Sequence, residues 1–341
     1  MNYLETTEWL FSKLPFYQNI GKSAYKSDLS QTLKLAKHLD YPESKFKSIH
    51  IGGTNGKGST AHMLASILQE SGYKVGLYTS PHLKDFRERI RINGLMINKK
   101  FVVDFVAENK SFFEDNTFSF FEMSVGMAFD YFAQEQVDIA VVEVGLGGRL
   151  DSTNIINPEV SVITNIGLDH TQFLGTTLES IAVEKAGIIK SNTPIVIGET
   201  QSEIESVFRD KASEEQATIY FADQLIKEIY PSVLKGEYQI KNVRTVLQTI
   251  AIINKGEFIV SEESIRLGLM KVCESTGLRG RWDVLGYSPK IICDTAHNLE
   301  GLRLVFKQLK DEKFHQLHLV IGIVDDKDLN SLLGLFPTDA Q

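Results

Sequence analysis

The segment GGTNGKGST, from Gly52 to Thr60, has the residue types and spacing needed to bind phosphate groups. It follows a short apolar strand, Ser48–Ile51, and precedes a helix that begins near Ser59. Glycines permit a tight turn whose backbone N–H groups face anionic oxygens at the positive end of that helix. Lys57 is then expected to contact the β- and γ-phosphates, and the Ser59 hydroxyl to face Mg²⁺. Because Gly58 separates these two residues, the strict ending of the motif is absent, and the alternative is a glycine-rich turn with an exposed lysine.

An acidic and an imidazole side chain follow two further apolar runs. Glu143 lies in the otherwise apolar strand of the segment Val141–Asn154, where an unpaired carboxylate is costly. Ligands bind at the carboxyl ends of strands in open α/β sheets, so a divalent cation beside Glu143 is expected. A buried salt bridge to an arginine is the alternative. His170, at the end of the segment Thr164–His170, is expected at the same edge of the sheet, with a purely structural histidine as the alternative.

Two sets of basic residues have less specific patterns. Lys185 lies between apolar positions of a helix, and its residue pattern alone favours a solvated lysine. The alternating stretch Arg87, Arg89 and Arg91 is a candidate for holding acidic substrate groups. The same alternation also suggests that some of these arginines are simply solvated.

These residues need a scaffold that brings strand ends together. The first roughly 45 residues have a helical pattern, with a helix start at Asp28-Leu29-Ser30. Apolar runs then alternate with amphipathic stretches, which predicts a parallel sheet covered by helices on both faces. The predicted strands are Ser48–Ile51, Lys74–Tyr78, Asp138–Val144, Val160–Asn165 and Pro194–Ile197. The predicted helices are Ser59–Glu70, Phe121–Gln134, Leu178–Ile189, Gly236–Ile253 and Glu262–Val272.

The local composition turns to Gly and Arg around Ser275–Arg281, which predicts domains at residues 1–278 and 279–341. In the second domain the pattern predicts, in order, a strand, a helix, a strand and a helix. Because a doubly wound domain of about 60 residues is short, this domain is expected to be incomplete. The predicted elements are strand Lys290–Cys293, helix Leu299–Leu309, strand Leu317–Ile321 and a helix after Lys327.

Composition limits the class of protein. The 341 residues suffice for two domains of about 150 residues each. With 36 Lys and Arg against 44 Asp and Glu, the formal net charge is −8, which argues against a nucleic-acid coat. No run approaches the ~18 apolar residues of a membrane span, and no secretion signal is expected at the start. Cys273 and Cys293 are too few for a disulfide framework or a zinc cluster, so a globular, cytoplasmic protein is expected. The protein is also expected to be a monomer.

The motifs together resemble those of folylpolyglutamate synthase/dihydrofolate synthase, the folate branch of the Mur ligase superfamily. The resemblance covers nearly the whole chain. It implies a P-loop Mur-ligase-type α/β central domain with a mostly parallel sheet, followed by a smaller Rossmann-like C-terminal α/β domain that is truncated here. The matching segments are GGTNGKGST, Tyr78–Leu83 with Phe86 and Glu88–Ile90, Val141–Asn154, Gly236–Gln239 with Asn242, Gly280-Arg281, Asp294–Asn298, and Gly322 with Asp326–Asp328.

The resemblance also implies roles for individual residues. Lys57, Lys185 and His297 would be catalytic, Lys185 as a carbamate formed with CO₂ and His297 beside the transfer site. The implied ATP-binding residues are Asn55, Gly56, Lys57, Gly58, Ser59, Asn242, Arg281 and Asp294. The implied Mg²⁺ ligands are Ser59, Ser80, Glu143 and His170. The implied pterin-binding residues are Ser119, Phe120, Phe121, Glu122, Leu150, Asp151 and Ser152.

The implied reaction is ATP-dependent ligation of L-glutamate to a folate or dihydropteroate carboxylate through an acyl phosphate, giving ADP and phosphate. Two features depart from the family pattern: Tyr238 stands where the family often has histidine, and family members usually extend well beyond Gln341. A truncated nucleotide-binding protein without ligase activity is therefore the alternative. A cell-wall Mur ligase is a near relative, but it would need a larger domain before the phosphate loop.

Overall fold

The structure, a computed structural model, describes residues 1–13, 28–322, 332–337 and 340. Ten strands form within these ranges: β1 Lys47–Gly52, β2 Val75–Tyr78, β3 Ile90–Ile92, β4 Leu95–Met96, β5 Ile139–Glu143, β6 Val160–Ile163, β7 Ile195–Ile197, β8 Ile219–Phe221, β9 Asp283–Tyr287 and β10 Lys290–Cys293. The first eight make one sheet in the order β4-β3-β2-β5-β1-β6-β7-β8. Its pairings are parallel except for β2–β3 and β3–β4 at one edge, and β9 and β10 form a separate antiparallel pair.

Helices pack on both faces of the large sheet, as the predicted parallel sheet requires. The helices of the described residues are α1 Tyr3–Ser12, α2 Ser30–His38, α3 Lys57–Glu70, α4 Lys99–Asn116, α5 Phe120–Gln134, α6 Thr171–Leu174, α7 Leu178–Ala186, α8 Glu205–Glu214, α9 Ala222–Leu225, α10 Glu237–Ile253, α11 Glu262–Thr276 and α12 Leu299–Leu309. None of them is long and apolar enough to cross a membrane.

All five strands predicted before residue 200 are present, with ends that differ by one or two residues. Their side chains are almost all buried because helices cover both faces, which explains their continuous apolar runs. The sequence analysis missed β3, β4 and β8, each only two or three residues long, and the five-residue β9. It also missed the helices α4, α6, α8 and α9.

The predicted strand Leu317–Ile321 is wrong. The segment belongs to neither sheet, and the side chain of Val320 is fully exposed. An extended segment needs a hydrogen-bonded neighbour to be stable, and within the described ranges β9 and β10 pair only with each other. The segment Asp326–Asp328 and the residues directly after it lie outside the described residues. Of the region where a helix was predicted after Lys327, residues 332–337 are described, and 332–333 are helical.

Helix α3, which follows the phosphate loop, is the most deeply buried helix around the site. All of its residues from Gly58 to Leu68 are buried, because α10 and α11 cover the side that faces away from the sheet. Gly268 of α11 makes this close approach possible, since a Cβ atom there would lie 2.5 Å from the Cα atom of Ile67. The start of α3 is therefore held from several sides.

The opposite face of the sheet carries an aromatic-rich core beneath α1, α4 and α5. Phe120 and Phe129 of α5 are buried in it, and Tyr78 at the end of β2 is fully buried with its hydroxyl hydrogen-bonded to Ser124. This core fixes the start of α5 beside the ends of β2 and β5.

The domain boundary at 278/279 stays a prediction. Helix α11 ends at Thr276 and is capped by Gly277 in the left-handed conformation, and β9 begins at Asp283. Side-chain hydrogen bonds join the segment after this point to the large sheet's loops, as described below.

Candidate functional site

The phosphate loop lies at the point where the sheet changes direction of winding. Strand β1 is central, with β5 on one side and β6 on the other. Ile51 lies opposite Glu143, and Gly52 lies opposite Ile163. The carboxyl end of β1 therefore opens between the end of β5 and the loop after β6, which is where open α/β sheets bind their ligands.

Two glycines are needed for the course of this loop. Gly53 and Gly56 have φ of 136° and 85°, values that favour glycine. A Cβ atom on Gly56 would lie 2.2 Å from Oδ1 of Asn242, so the predicted nucleotide residue of α10 packs directly on the loop. The Asn55 N–H donates to Oδ1 of Asn165 at 2.9 Å, which anchors the loop to the neighbouring strand end.

Both predicted catalytic lysines converge on the same carbonyl. Lys57 Nζ donates to Gly53 O at 2.9 Å and to Thr54 O at 3.1 Å, and Lys185 Nζ donates to Gly53 O at 2.8 Å. The interpretation of Lys185 as a solvated helix lysine, made from its residue pattern, is wrong. It is only 5% exposed because α7 turns this side chain towards the phosphate loop. Burial, reinforced by the charge of Lys57, lowers the pKa of Lys185 to about 7.

Glu143 ends β5 as a buried carboxylate beside the phosphate loop. It is 4% exposed, and Oε2 accepts the Ser80 N–H at 3.0 Å. In the part of the chain that the structure describes, no arginine forms an ion pair with it, so the predicted alternative of a buried salt bridge is not present there. Burial raises the pKa of Glu143, while the charges of Lys57 and Arg281 and the Ser80 hydrogen bond oppose that change.

These groups suit a hard cation. A carboxylate combined with serine hydroxyls is a donor set that Mg²⁺ accepts. Ser59 is buried in the first turn of α3, and the Ser80 backbone bonds to Glu143. His170 has a left-handed backbone with φ of 48°, and its Nε2 lies 4.0 Å from Oδ2 of Asp169. Among the described residues no three His, Cys, Asp or Glu side chains form a group that could hold a metal ion. The residues therefore fit a Mg²⁺ ion, and the roles of Glu143, Ser59, Ser80 and His170 as its ligands stay predictions.

Asp294 follows β10 and faces α10 across the cleft. Its carboxylate accepts the N–H groups of Trp282 and Ala296, each at 2.8 Å, and the Tyr238 hydroxyl at 3.1 Å. Burial and the Asp294 charge raise the pKa of Tyr238, so the tyrosine is the donor. Arg281 Nη1 donates to Gly280 O at 3.0 Å. Tyr238 of α10 and the predicted nucleotide residue Asp294 thus join the two parts of the chain.

His297 lies at the rim of the same cleft. Its side chain is largely exposed, Nδ1 lies 3.0 Å from Thr295 O, and Nε2 lies 3.6 Å from Oδ2 of Asp169. Asp169 belongs to the loop between β6 and α6, so this contact also joins the C-terminal part to the large sheet.

The predicted pterin-binding residues lie at the start of α5 and in the loop after β5. Ser119 and Glu122 form the capping box of α5, and the ring of Phe121 lies 6.3 Å from that of Tyr78. Asp151 accepts the N–H groups of Gly145, Leu146 and Thr153 at 2.9–3.0 Å. The two carboxylates, Glu122 and Asp151, thus shape the pocket by holding their own loops.

The three arginines have different environments. Arg87 forms an ion pair with Asp85 and does not line the cleft. Arg89 is 8% exposed, its Nε donates to Nδ1 of His82 at 2.8 Å, and its guanidinium lies 5.1 Å from the Phe120 ring centroid. Burial lowers the pKa of both Arg89 and Arg91. Neither pairs with a carboxylate within the described ranges, so both are candidates for holding an acidic ligand group.

Every residue predicted for the catalytic, nucleotide, pterin and Mg²⁺ sites lines one cleft of about 1740 Å³, and of the candidate arginines only Arg87 does not. The sequence analysis assigned no role to several uncharged residues that hold this cleft together, among them Asn165, Gln239 and Asn298. Gln239 donates to Ser59 Oγ at 3.2 Å, and Asn298 donates to the phosphate loop. Residue type gives no signal for such amides. Two signs in the sequence mark Asn298: it ends the matching segment Asp294–Asn298, and it stands just before a predicted helix, which is typical of an N-cap.

Comparison with known proteins agrees with this geometry. Residues 51–260 match the Mur ligase middle domain, which is the class that the phosphate loop and sheet define. The chain belongs to the folylpolyglutamate synthase/dihydrofolate synthase family of these ligases. It is 33% identical to a Dihydrofolate synthase/folylpolyglutamate synthase of Bacillus subtilis, over 99% of this chain and 84% of that protein.

Two further relatives give the extent of the similarity. A bifunctional folylpolyglutamate synthase/dihydropteroate synthase of Haloferax volcanii is 33% identical over 100% of this chain, and the chain spans 42% of that longer protein. A solved structure described as an FPGS-AMPPCP-folate complex superposes with a TM-score of 0.89 at 33% identity. That match covers 99% of this chain and 88% of the other. The α/β fold with a mostly parallel sheet is therefore confirmed.

Proposed function

We propose that this chain is an ATP-dependent ligase that joins L-glutamate to the carboxylate of a folate or a dihydropteroate. The observation that carries the proposal is the convergence of Lys57, Lys185 and Glu143 on one phosphate loop, in a cleft that also has an aromatic wall. A carboxylate resists attack by an amine because its charge repels nucleophiles and its oxygen is a poor leaving group. A site for this reaction must therefore hold a phosphoryl donor beside the carboxylate.

The nucleotide is expected to bind across the cleft. The backbone N–H groups of residues 53–58 and the start of α3 attract the phosphates, and Lys57 neutralises their charge. Lys57 now donates to carbonyls of its own loop, so it must turn towards the phosphates when ATP binds. Asn242, Arg281 and Asp294 would contact the rest of the nucleotide.

Glu143, with Ser59 and Ser80, would hold Mg²⁺. The ion supplies positive charge that favours phosphoryl transfer. A metal ion at Glu143 would also account for a buried carboxylate that has no ion-pair partner among the described residues.

The chemistry follows from this arrangement. An oxygen of the substrate carboxylate forms a bond to the γ-phosphorus of ATP, and the bond from that phosphorus to the bridging oxygen of ADP breaks. The neutral amine of L-glutamate then attacks the acyl carbon, the bond to the phosphate oxygen breaks, and the amine proton is lost. The products are an amide, ADP and phosphate. Residues on both sides of the cleft, including His297, would orient the reacting groups, which is worth up to about 7–11 kcal/mol in favourable cases.

Lys185 is proposed to react with CO₂. Because burial lowers its pKa to about 7, a large fraction of the side chain is a neutral amine near neutral pH. The neutral nitrogen forms a bond to the carbon of CO₂ as one C–O π bond opens onto oxygen, and the nitrogen then releases a proton, which leaves an anionic carbamate in place of the amine. That anion would face the phosphate loop and engage Mg²⁺ there.

Separate roles for the two predicted domains are part of the proposal. The domain of residues 1–278 would bind ATP and the pterin, and the domain of residues 279–341 would complete the glutamate site. The cytoplasmic location and the monomeric state also stay predictions.

The test is a direct assay of the whole chain. The protein is incubated with ATP, Mg²⁺, L-glutamate and dihydropteroate, and then with tetrahydrofolate in place of dihydropteroate. Phosphate release should depend on one of the two pterins, and mass spectrometry should show the glutamyl product. Phosphate release that depends on neither pterin would remove the ligase proposal, and nucleotide binding without any product would favour a binding protein instead.

A further inference from the structure

Asn298 connects three parts of the cleft through one side chain. It caps α12, since its Oδ1 accepts the Gly301 N–H at 2.9 Å. Its amide group donates to Asn55 Oδ1 of the phosphate loop at 2.9 Å and to Asp169 Oδ2 at 3.2 Å. The side chain is buried, with 6% of the residue exposed.

Both acceptors are themselves fixed to the site. Asn55 is anchored through its N–H to Asn165, and its carbonyl accepts the Thr164 hydroxyl at 2.6 Å. Asp169 Oδ2, the oxygen that accepts from Asn298, is also the atom that lies 3.6 Å from Nε2 of His297. The Asn298 amide therefore sets the distance between the phosphate loop and the segment that carries His297.

We propose that Asn298 is a positioning residue for ligation: its amide docks the start of α12 on the phosphate loop and holds Asp169 against His297. This inference rests on the proposed ligase function. Because the Asn298 side chain is uncharged, it does not neutralise phosphate charge. Its loss should therefore leave nucleotide binding to the loop intact. It should instead misplace the groups on the other side of the cleft, and a displacement of about 1 Å can lower the rate about 100-fold.

Two substitutions separate this role from simple capping. Asn298→Asp and Asn298→Ser both keep an oxygen that caps the helix, because Asp and Ser are as good as Asn at this position. Both remove the amide donor, and the aspartate adds a negative charge beside Asp169. The matched control is Asn98→Asp, the same chemical change at the N-cap of α4, where the exposed Asn98 side chain accepts the Phe101 N–H outside the cleft.

The experiment measures kcat, the dissociation constant of a non-hydrolysable ATP analogue and the thermal unfolding midpoint for wild type and the three variants. We expect kcat to fall about 10-fold or more in Asn298→Ser and further in Asn298→Asp, with analogue binding within about threefold of wild type. Asn98→Asp should match wild type in all three. Equal kcat values for Asn298→Ser, Asn98→Asp and wild type would overturn the inference, as would a loss of kcat that only parallels a loss of nucleotide affinity or of folding. A wild-type chain without ligase activity would instead refute the proposed function itself.

Discussion

The large sheet and the segment after residue 279 build the cleft in different ways. The strands that carry the phosphate loop and Glu143 are buried along nearly their whole length. The strands β9 and β10, which lead to Asp294 and His297, contain no fully buried residue. Their segment meets the sheet's loops through polar side-chain bonds such as Tyr238–Asp294 and Asn298–Asn55.

This difference suggests a separation of tasks. Groups anchored in a packed core are held in place before any ligand arrives, which suits binding of phosphate and metal. Groups joined by a few hydrogen bonds depend on those bonds for their position, and each bond is worth only about 1 kcal/mol. Substitutions at the sheet should therefore act mainly on binding and charge stabilisation, and those across the cleft should have smaller, graded effects.

The largest effect is expected for Lys57→Ala. Removing the cation that is proposed to neutralise the phosphates should lower kcat/KM about 1000-fold, the scale seen when one charge-stabilising group is lost. Product formation with ATP, glutamate and pterin is the measurement, and Lys100→Ala, at a lysine whose side chain is 84% exposed, is the control. A Lys57→Ala protein with full activity would refute its phosphate role.

Lys185 should make activity depend on CO₂. Removing bicarbonate and dissolved CO₂ should lower kcat about 100-fold, towards the level of Lys185→Arg, which cannot form a carbamate. Because burial lowers the pKa of Lys185 to about 7, the reactive amine increases as pH rises through 7, and activity at constant dissolved CO₂ should rise between pH 6 and 8. Kinetic assays in degassed and CO₂-supplied buffers measure the CO₂ dependence and the pH dependence of activity. Activity that does not change with CO₂ would count against the carbamate.

Arg89 should contribute to pterin binding. Its buried guanidinium lies beside Phe120, and its charge acts on Glu143, so it is placed to hold the carboxylate that is activated. Arg89→Met should raise the KM for the pterin about 10- to 100-fold, the value of a charged hydrogen bond, while binding of the corresponding carboxamide stays unchanged. The exposed Arg266→Ala is the control. Equal losses of affinity for the pterin carboxylate and for its carboxamide would indicate that Arg89 has a purely structural role.

The smallest effect is expected across the cleft at Tyr238. Tyr238→Phe removes one hydrogen bond to Asp294 and should raise the KM for ATP about fivefold. Tyr287→Phe, on the exposed surface of β9, should change nothing. A fall in kcat/KM as large as that expected for Lys57→Ala would contradict the separation of tasks between the two regions.

The sequence predicted the buried part of the fold better than the exposed part. Strands covered on both faces leave long apolar runs, so β1, β2 and β5–β7 were found. Strands β3, β4 and β8 are too short to give a pattern, and β9, which has no buried residue, lacks a long apolar run. The apolar run Leu317–Ile321 was misassigned because a pattern does not reveal whether a neighbouring strand exists.

The site shows the same limit. Charged groups at strand ends, such as Lys57 and Glu143, can be recognised from residue type and place. The burial of Lys185 could not be recognised in this way, because it results from how α7 packs on the phosphate loop. Amides such as Asn298 act through partners that are distant in sequence, and only the folded chain brings those partners together.

The central claim is that this loop binds a nucleoside triphosphate through Lys57, assisted by Mg²⁺ at Glu143. Isothermal titration of a non-hydrolysable ATP analogue tests it most directly, with wild type in the presence and absence of Mg²⁺ and with Lys57→Ala. The account predicts saturable one-to-one binding to wild type that weakens without Mg²⁺ and is lost in the variant. No measurable binding to wild type, or equal binding to both proteins, would contradict it.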